Sequence, residues 1–119
     1  IVNDKNFLIH INQLSEFFRV ELKKLQDEFP KLKEVRQLGL FMGLVFNDSA
    51  FCLVFIKILL KNGIFAVYSA NDKKVMQFLP PLVTSMEEAR EIIQILRKSL
   101  KESGSLKNRI VKTAVSYLF

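Results

Sequence analysis

A long apolar stripe at the start of the chain constrains the fold most. Apolar side chains recur there at three- and four-residue steps, at Leu8, Ile11, Leu14, Phe18, Leu22, Leu25 and Phe29. This spacing places them on one side of an α-helix. Pro30 follows directly, and the residue before a proline avoids the helical region, so we expect the helix to end there. The apolar side of such a helix has to be covered by a second layer of structure.

Short apolar segments after Pro30 predict that this second layer is a small sheet. Residues 33–36 alternate, and 40–46 form a nearly continuous apolar run, which predicts two strands separated by Gly39. Gly43, inside the second strand, indicates a bulge or a close backbone approach. Further strands are predicted at 64–69 and 75–79, with polar turn material at 70–74 between them.

Two more helices complete the pattern. Residues 50–61 are apolar nearly all round, follow the capping residues Asn47, Asp48 and Ser49, and end at Asn62-Gly63. In the last helix, Thr84/Glu87 and Ser85/Glu88 both have capping-box spacing. Ala89, Ile92, Ile93, Leu96 and Leu100 form its apolar side, and we expect Ser103-Gly104-Ser105 to stop it.

This order of elements predicts an α+β fold, in which helices pack against a small, mostly antiparallel sheet. The length of 119 residues suits one domain, which we place at 1–105. The remaining residues, 106–119, form a basic and apolar tail, for which we predict a helix with Ile110, Val111, Ala114, Val115 and Leu118 on one side.

Composition excludes several classes of protein. The content of 11 Phe and 2 Tyr argues against disorder, and the single Cys52 excludes a disulfide scaffold and a cysteine-built zinc site. Cys52 lies in an apolar run, so we expect a buried, inert thiol. The most apolar stretch, 50–60, is too short to span a membrane. The first residues lack the features of a signal peptide, so we expect a cytoplasmic protein.

The formal net charge of +6 is uneven, because ten basic and five acidic residues follow Leu59. A basic cluster, Arg97, Lys98, Lys101, Lys107, Arg109 and Lys112, faces only Glu102. The chain has no motif that reads bases, so we interpret this cluster as a solvated helix end and expect no nucleic-acid partner.

Residues for catalysis are scarce. His10 is the only histidine and has no companion ligands, so no metal site is expected. Glu87 and Glu88 fit a helix cap better than acid–base catalysis. The four glycines lack the spacing of a phosphate-binding loop. The residues therefore predict no catalytic group in this chain.

Two stretches nevertheless carry a family likeness. Residues 33–43, KEVRQLGLFMG, resemble the R-G-x-G-L-x-x-G strand of class III aminotransferases of the ornithine, acetylornithine and putrescine group. Gly63-Ile64, Asn71-Asp72 and 75–82, VMQFLPPL, resemble the segment of these enzymes that ends in R-F-x-P-P-L. The capped last helix and Phe29-Pro30 also match. The likeness runs from about Asn3 to about Leu100 and corresponds to the C-terminal small domain of such an enzyme.

The resemblance implies a parent enzyme that transfers amino groups with pyridoxal phosphate. In this family the lysine and the other groups that hold the cofactor belong to the large domain, so no cofactor is expected in this fragment. Lys57, Lys61, Lys73 and Lys74, on a helix or a turn, are therefore not assigned a catalytic role. The implied partners are the large domain of the same chain and a second copy in a homodimer. The fragment itself is expected to be inactive.

One site residue can be carried over from the family. The arginine before F-x-P-P-L looks toward the active site in many relatives and holds a substrate carboxylate or a gating glutamate; here that position is Gln77. A glutamine amide lacks the charge and the bidentate grip of arginine. We therefore expect either an amine-type substrate or a carboxylate bound by another residue. Alternatively, Gln77 is an ordinary strand residue. Gln37 is a second departure, at a position that is usually glycine.

Two hypotheses follow for the function. The chain is either the C-terminal domain of a pyridoxal-phosphate aminotransferase, contributing one wall of the substrate site, or a stand-alone, non-catalytic interaction domain. Its first residue is Ile1 rather than Met, which favours the first hypothesis or a processed chain.

Overall fold

The computed structural model describes residues 5–69, 71–81 and 84–105. Within these ranges the elements follow the order helix, two strands, helix, two strands, helix, so the predicted order and the α+β class are confirmed. The elements are α1 (Lys5–Glu28), β1 (Leu32–Leu38), β2 (Phe41–Phe46), α2 (Ser49–Lys61), β3 (Val67–Ser69), β4 (Asp72–Phe78) and α3 (Met86–Ser105).

The apolar stripe of α1 forms one wall of the core. Its fully buried members are Leu14, Phe18, Leu22 and Leu25. Leu8, at the start of the same stripe, is half exposed, so burial begins later along the helix than the pattern predicts. The helix ends at Glu28, two residues before Pro30, as expected from the restriction that proline places on the residue before it.

The four strands form one antiparallel sheet in the order β1-β2-β4-β3. Side chains alternate between the two faces of a strand. We call the face that packs against the helices the inner face; its buried strand residues include Leu32, Met42, Leu44, Phe46, Met76 and Phe78. All three helices contribute to the same core, with Phe55 of α2 and Leu96 of α3 fully buried in it.

The opposite face, which we call the outer face, carries Arg36, Gly43, Val45, Val75 and Gln77. Val45 and Val75 are buried but lie outside the main core cluster, so they form a small apolar centre of their own. The outer face therefore differs from the inner face in that none of the three helices covers it.

Local capping agrees with the sequence at two helix starts. Asp48 is the N-cap of α2, and its Oδ1 accepts a hydrogen bond from the Phe51 amide at 2.7 Å. At α3 the capping box is formed by Ser85 and Glu88: the Ser85 amide donates to Glu88 Oε1 at 2.9 Å, and the Glu88 amide donates to Ser85 Oγ at 3.0 Å. Thr84, the alternative cap, instead donates to the Pro81 carbonyl at 2.6 Å.

Three local predictions are wrong. Gly43 marks neither a bulge nor a close backbone approach, because β2 pairs regularly there and a Cβ atom would make only ordinary contacts; the irregularity lies between Leu32 and Glu34. The strand predicted at 64–69 is only β3, since the Ile64 amide bonds to the Leu59 carbonyl at 2.8 Å and so ties the chain to the end of α2. The turn predicted at 70–74 is shorter, because β4 already begins at Asp72.

A stop is expected at 103–105; α3 includes Ser103 and Gly104 and extends to Ser105, the last residue of that segment. The Ser103 hydroxyl donates to the Ser99 carbonyl at 2.8 Å and is buried, so this serine satisfies its own hydrogen bond within the helix. Serine often does so inside helices. The helix predicted for the tail lies in 106–119, outside the described residues.

Candidate functional site

A row of three residues crosses the outer face of the sheet. Arg36 of β1 pairs with Gly43 of β2, and Gly43 pairs with Gln77 of β4. Neighbouring strands lie about 4.8 Å apart, so the Cα atoms of Arg36 and Gln77 are separated by about 10 Å. Glycine has no side chain, and the row therefore has a gap at its middle.

A shallow cavity of about 320 Å³ lies over this row. Its polar lining residues are Arg36, Gln37, Ser69 and Gln77. Its apolar lining residues are Leu38, Phe41, Met42 and Val75, together with Gly43. The lining carries a guanidinium and no carboxylate, so the cavity favours an anion or a polar group with an apolar body.

Gln77 lies where strand alternation places it. Phe78 is buried on the inner face, where its ring makes an edge contact with Phe18 at 6.5 Å between centroids, and Gln77 is half-buried on the outer face. Among the described residues, we find no hydrogen bond to the Gln77 side chain. Its amide is therefore free to bind a group in the cavity.

Arg36 provides the positive charge of the cavity. Its Nε donates to Glu34 Oε2 at 3.2 Å, and the two side chains are 60% and 50% exposed. Ion pairs this exposed contribute little to stability. A guanidinium has five N–H donors in a planar fork, so the bond to Glu34 leaves others available.

Gln37, the second departure from the family pattern, has a structural role. Its Nε2 donates to the Ser15 carbonyl and to the Gly39 carbonyl, both at 2.8 Å, and so ties the β1–β2 turn to α1. Gly39 has a φ of +58°, a conformation that favours glycine, so the turn itself keeps its glycine. Gln37 Oε1 is buried and has no hydrogen-bond partner among the described residues.

The other residues singled out in the sequence lie away from this row. His10 Nε2 donates to the Thr84 carbonyl at 2.8 Å, which joins α1 to the segment before α3. Glu88 is used in the helix cap, and hydrogen bonds from the backbone and side chain of Ser85 lower its pKa. Cys52 is fully buried, as predicted; burial, with the charges of Asp72 and Asp48, raises its pKa to about 12.

The lysines and Arg97 that were singled out in the sequence, where described, lie on regular helices and strands. Arg97 donates from Nε to Glu28 Oε1 at 3.0 Å, so its acidic partner lies on α1 and is not Glu102, the one acidic residue that the sequence predicts for this cluster. Lys73 and Lys74 belong to β4 rather than to a turn, and Lys57 and Lys61 belong to α2. Lys107, Arg109 and Lys112 lie outside the described residues.

Neither a metal site nor a membrane span is found in the part of the chain that the structure describes. Across residues 5–69, 71–81 and 84–105, no three His, Cys, Asp or Glu side chains come close enough to hold a metal ion. In the same ranges, every helix is too short or too polar to cross a bilayer.

Sequence reasoning missed Arg36. It belongs to the quoted motif, but its position beside Gln77 depends on the pairing of β2 with β4, which are far apart in the chain. The one available signal was Gly43, whose missing side chain keeps the space between the two residues open.

Comparison with known proteins finds matches to aminotransferases. The family model described as Aminotransferase class-III matches residues 1–100. An uncharacterized aminotransferase of Archaeoglobus fulgidus is 32% identical over 117 residues, covering 84% of this chain and 28% of that protein. The acetylornithine aminotransferase of Caldanaerobacter subterraneus is 32% identical over 101 residues, covering 85% of this chain and 25% of that protein.

Solved structures agree with the sequence matches. The acetylornithine aminotransferase of Elizabethkingia anophelis superposes with a TM-score of 0.76 at 25% identity, over 85% of this chain and 27% of that one. The ornithine aminotransferase of Toxoplasma gondii superposes with a TM-score of 0.74 at 27% identity, over 87% and 26%. The chain thus spans about a quarter of the length of these proteins.

Proposed function

The chain belongs to the class III aminotransferase family, and from this premise we propose that it is the C-terminal small domain of a pyridoxal-phosphate-dependent aminotransferase. In this proposal the outer face of its sheet forms one wall of the substrate site, and Gln77 contacts the substrate. The fragment is inactive alone. The parent enzyme works as a cytoplasmic homodimer, and the partner of this domain is the large domain of the same parent chain.

The observation that carries the proposal is the outer face, which none of the described helices covers. The three helices pack on the inner face, whereas the outer face carries a cavity with both polar and apolar lining residues beside Gln77. Exposed apolar side chains lie at its borders, with Leu38 81% exposed and Phe65 75% exposed. Exposed apolar side chains around a mainly apolar cavity with a few polar groups are typical of a surface that meets another domain or a ligand.

The cavity does not fit the cofactor. Pyridoxal phosphate is held by a lysine amine through a Schiff base and by a charged partner at its pyridine nitrogen. The lining of this cavity contains neither a lysine nor a carboxylate. A second cavity, of about 280 Å³, includes Lys57, but its other lining residues are Ile56, Leu60, Phe65, Ala66, Val67 and Tyr68, which carry no carboxylate either. We therefore assign cofactor binding to the proposed large domain.

The chemistry of this chain is thus limited to binding and orientation. When bound in the parent, the cofactor supplies the amino-transfer chemistry. The Gln77 amide offers two N–H donors and one carbonyl acceptor to a substrate group in the cavity. The buried Val45 and Val75 lie beside it on the same face and give that face an apolar part.

The gene and a cofactor assay test the proposal. We expect the reading frame to continue upstream of Ile1 into a large domain with a lysine that binds pyridoxal phosphate, and the longer protein to transfer amino groups to a 2-oxo acid. The 119-residue chain, treated with pyridoxal phosphate and borohydride, should give no stoichiometric adduct at one lysine. A start and a stop codon that frame this chain alone would instead support a stand-alone interaction domain.

A further inference from the structure

The outer face carries a positive charge in the same row as the uncharged Gln77. An amide at this position cannot neutralise a substrate carboxylate, since it carries no charge. Two strands away in the same row, Arg36 lines the same cavity with an always-charged guanidinium. Both side chains belong to the cavity wall, and neither is used by the inner core.

The middle of the row is open because residue 43 is glycine. A Cβ atom built on Gly43 would lie 3.7 Å from Val75 Cγ1 and 3.8 Å from Arg36 Cβ, which are ordinary van der Waals distances. Packing therefore does not require glycine at this position, and its φ is not in the left-handed region. What glycine provides is an open space between the Arg36 and Gln77 side chains.

The electrostatics of this space favour an anion. Glu34, two residues before Arg36 on the same face of β1, accepts a hydrogen bond from the Arg36 guanidinium. The pair is exposed to solvent, so an incoming carboxylate can compete with Glu34 for the remaining N–H groups at small cost. On the far side of the gap, the Gln77 amide has no hydrogen-bond partner among the described residues and can donate to the second oxygen.

We propose that Arg36 and Gln77 together bind the carboxylate of the amino substrate across Gly43, with Arg36 supplying the charge that position 77 lacks. The inference rests on the proposed function and makes it more specific, because it selects carboxylate-bearing amino donors over plain amines. Glu34 holds the guanidinium in place when no substrate carboxylate is present.

The test is the ratio of kcat/KM for an amino acid and for its decarboxylated amine in the parent enzyme. Arg36→Gln should lower kcat/KM for the amino acid by about ten- to hundredfold, since it removes a charge-assisted contact, and should change that for the amine by less than about twofold. Arg36→Lys should give an intermediate loss, because an ammonium keeps the charge but not the planar fork.

The matched control is Arg19→Gln. Arg19 is also an exposed arginine paired with a glutamate, Glu16, but it lies on α1, away from the cavity. Arg19→Gln should leave kcat/KM unchanged for both the amino acid and the amine. Gly43→Val, which fills the gap with a strand-favouring side chain, should reduce the ratio as Arg36→Gln does. An unchanged ratio in folded, cofactor-loaded Arg36→Gln enzyme overturns the inference.

A binding measurement separates this result from failure of the proposed function. If the parent transfers no amino group, the proposed function fails. The anion site can still be tested by NMR, with a titration of acetate into the 119-residue chain at constant ionic strength. Saturable shifts of the Arg36 Nε–H and Gln77 amide signals, absent for Arg19 and lost in Gly43→Val, support the site. No selective shift at Arg36 in the folded chain overturns it.

Discussion

The two faces of the sheet follow different rules, although they are built from alternate residues of the same strands. On the inner face, Leu44 and Met76 are fully buried beneath the helices. On the outer face, Gly43 and Gln77 are their direct neighbours in the chain, yet they line an open cavity with both polar and apolar residues. Packing against the helices therefore explains the inner residues but not the outer ones, for which we propose contact with a substrate.

The largest expected effect is in the core that packs on the inner face, where Phe55 of α2 contacts Phe46 of β2. Phe55 is fully buried and its ring lies 5.2 Å from that of Phe46, between centroids. Phe55→Ala should lower the free energy of unfolding by about 3–5 kcal/mol, because the truncation leaves a cavity. The matched outer residue is Phe41, which is 47% exposed; Phe41→Ala should cost about 1 kcal/mol. Urea unfolding measures both, and equal losses would contradict the distinction between the faces.

The next effect is on specificity at the outer face. Gln77→Arg in the parent enzyme should add a charge-assisted contact to a substrate carboxylate. Such a hydrogen bond contributes about 1.5–3 kcal/mol, so we expect the kcat/KM ratio of amino acid to amine to rise about ten- to hundredfold. In the Arg36→Gln background, the same change should restore the lost preference.

The control for this variant is Gln94→Arg, the same substitution at an exposed position of α3. It should leave the ratio unchanged. If the ratio also stays unchanged in folded, cofactor-loaded Gln77→Arg enzyme, Gln77 is not in the substrate site and is an ordinary strand residue.

A third effect concerns the borders of the outer face. Leu38 and Phe65 are mostly exposed in the isolated chain. Leu60 and Leu79 are each more than half exposed. We expect this chain to self-associate and to bind a hydrophobic dye, because contiguous apolar surface is left in water. Light scattering should show less association for Leu38→Ser/Phe65→Ser than for Leu8→Ser on α1. A monomer at high concentration without dye binding would count against a missing partner domain.

The comparison also explains which features could be read from the sequence. The core on the inner side of the sheet was predictable, because Leu14, Phe18 and Leu22 of α1 repeat with the helical period and 40–46 forms one apolar run. Helix starts were predictable as well, since Asp48 and Ser85 act through neighbours within three residues. These features depend on local spacing alone.

Features that depend on distant pairing were not predictable. Whether Arg36 lies near Gln77 depends on β4 inserting between β2 and β3, and no local spacing encodes that order. The shortened β3 depends on the Ile64–Leu59 hydrogen bond, which competes with sheet pairing. The continuation of α3 through Gly104 depends on serine hydrogen bonds within the helix and on burial of Ser103, which outweigh a low helix propensity.

The smallest expected effect lies at the start of α3, on the helical side of the sheet. Ser85→Ala removes the side chain that caps the helix and should cost about 0.5–2 kcal/mol of stability at neutral pH. Ser85 lowers the pKa of Glu88 in the folded state, mainly through its backbone amide, which alanine keeps, and to a smaller extent through its side chain, which the variant removes. A carboxyl with a lowered folded pKa stabilises the fold above its unfolded pKa, and this contribution is lost as the pH falls through the folded pKa. The difference in stability between wild type and Ser85→Ala should therefore shrink on acidification.

Urea unfolding at neutral and acidic pH measures this difference, with Thr84→Ser as the control that keeps the capping box. A difference that does not depend on pH would show that the hydroxyl cap acts alone, without the Glu88 carboxylate.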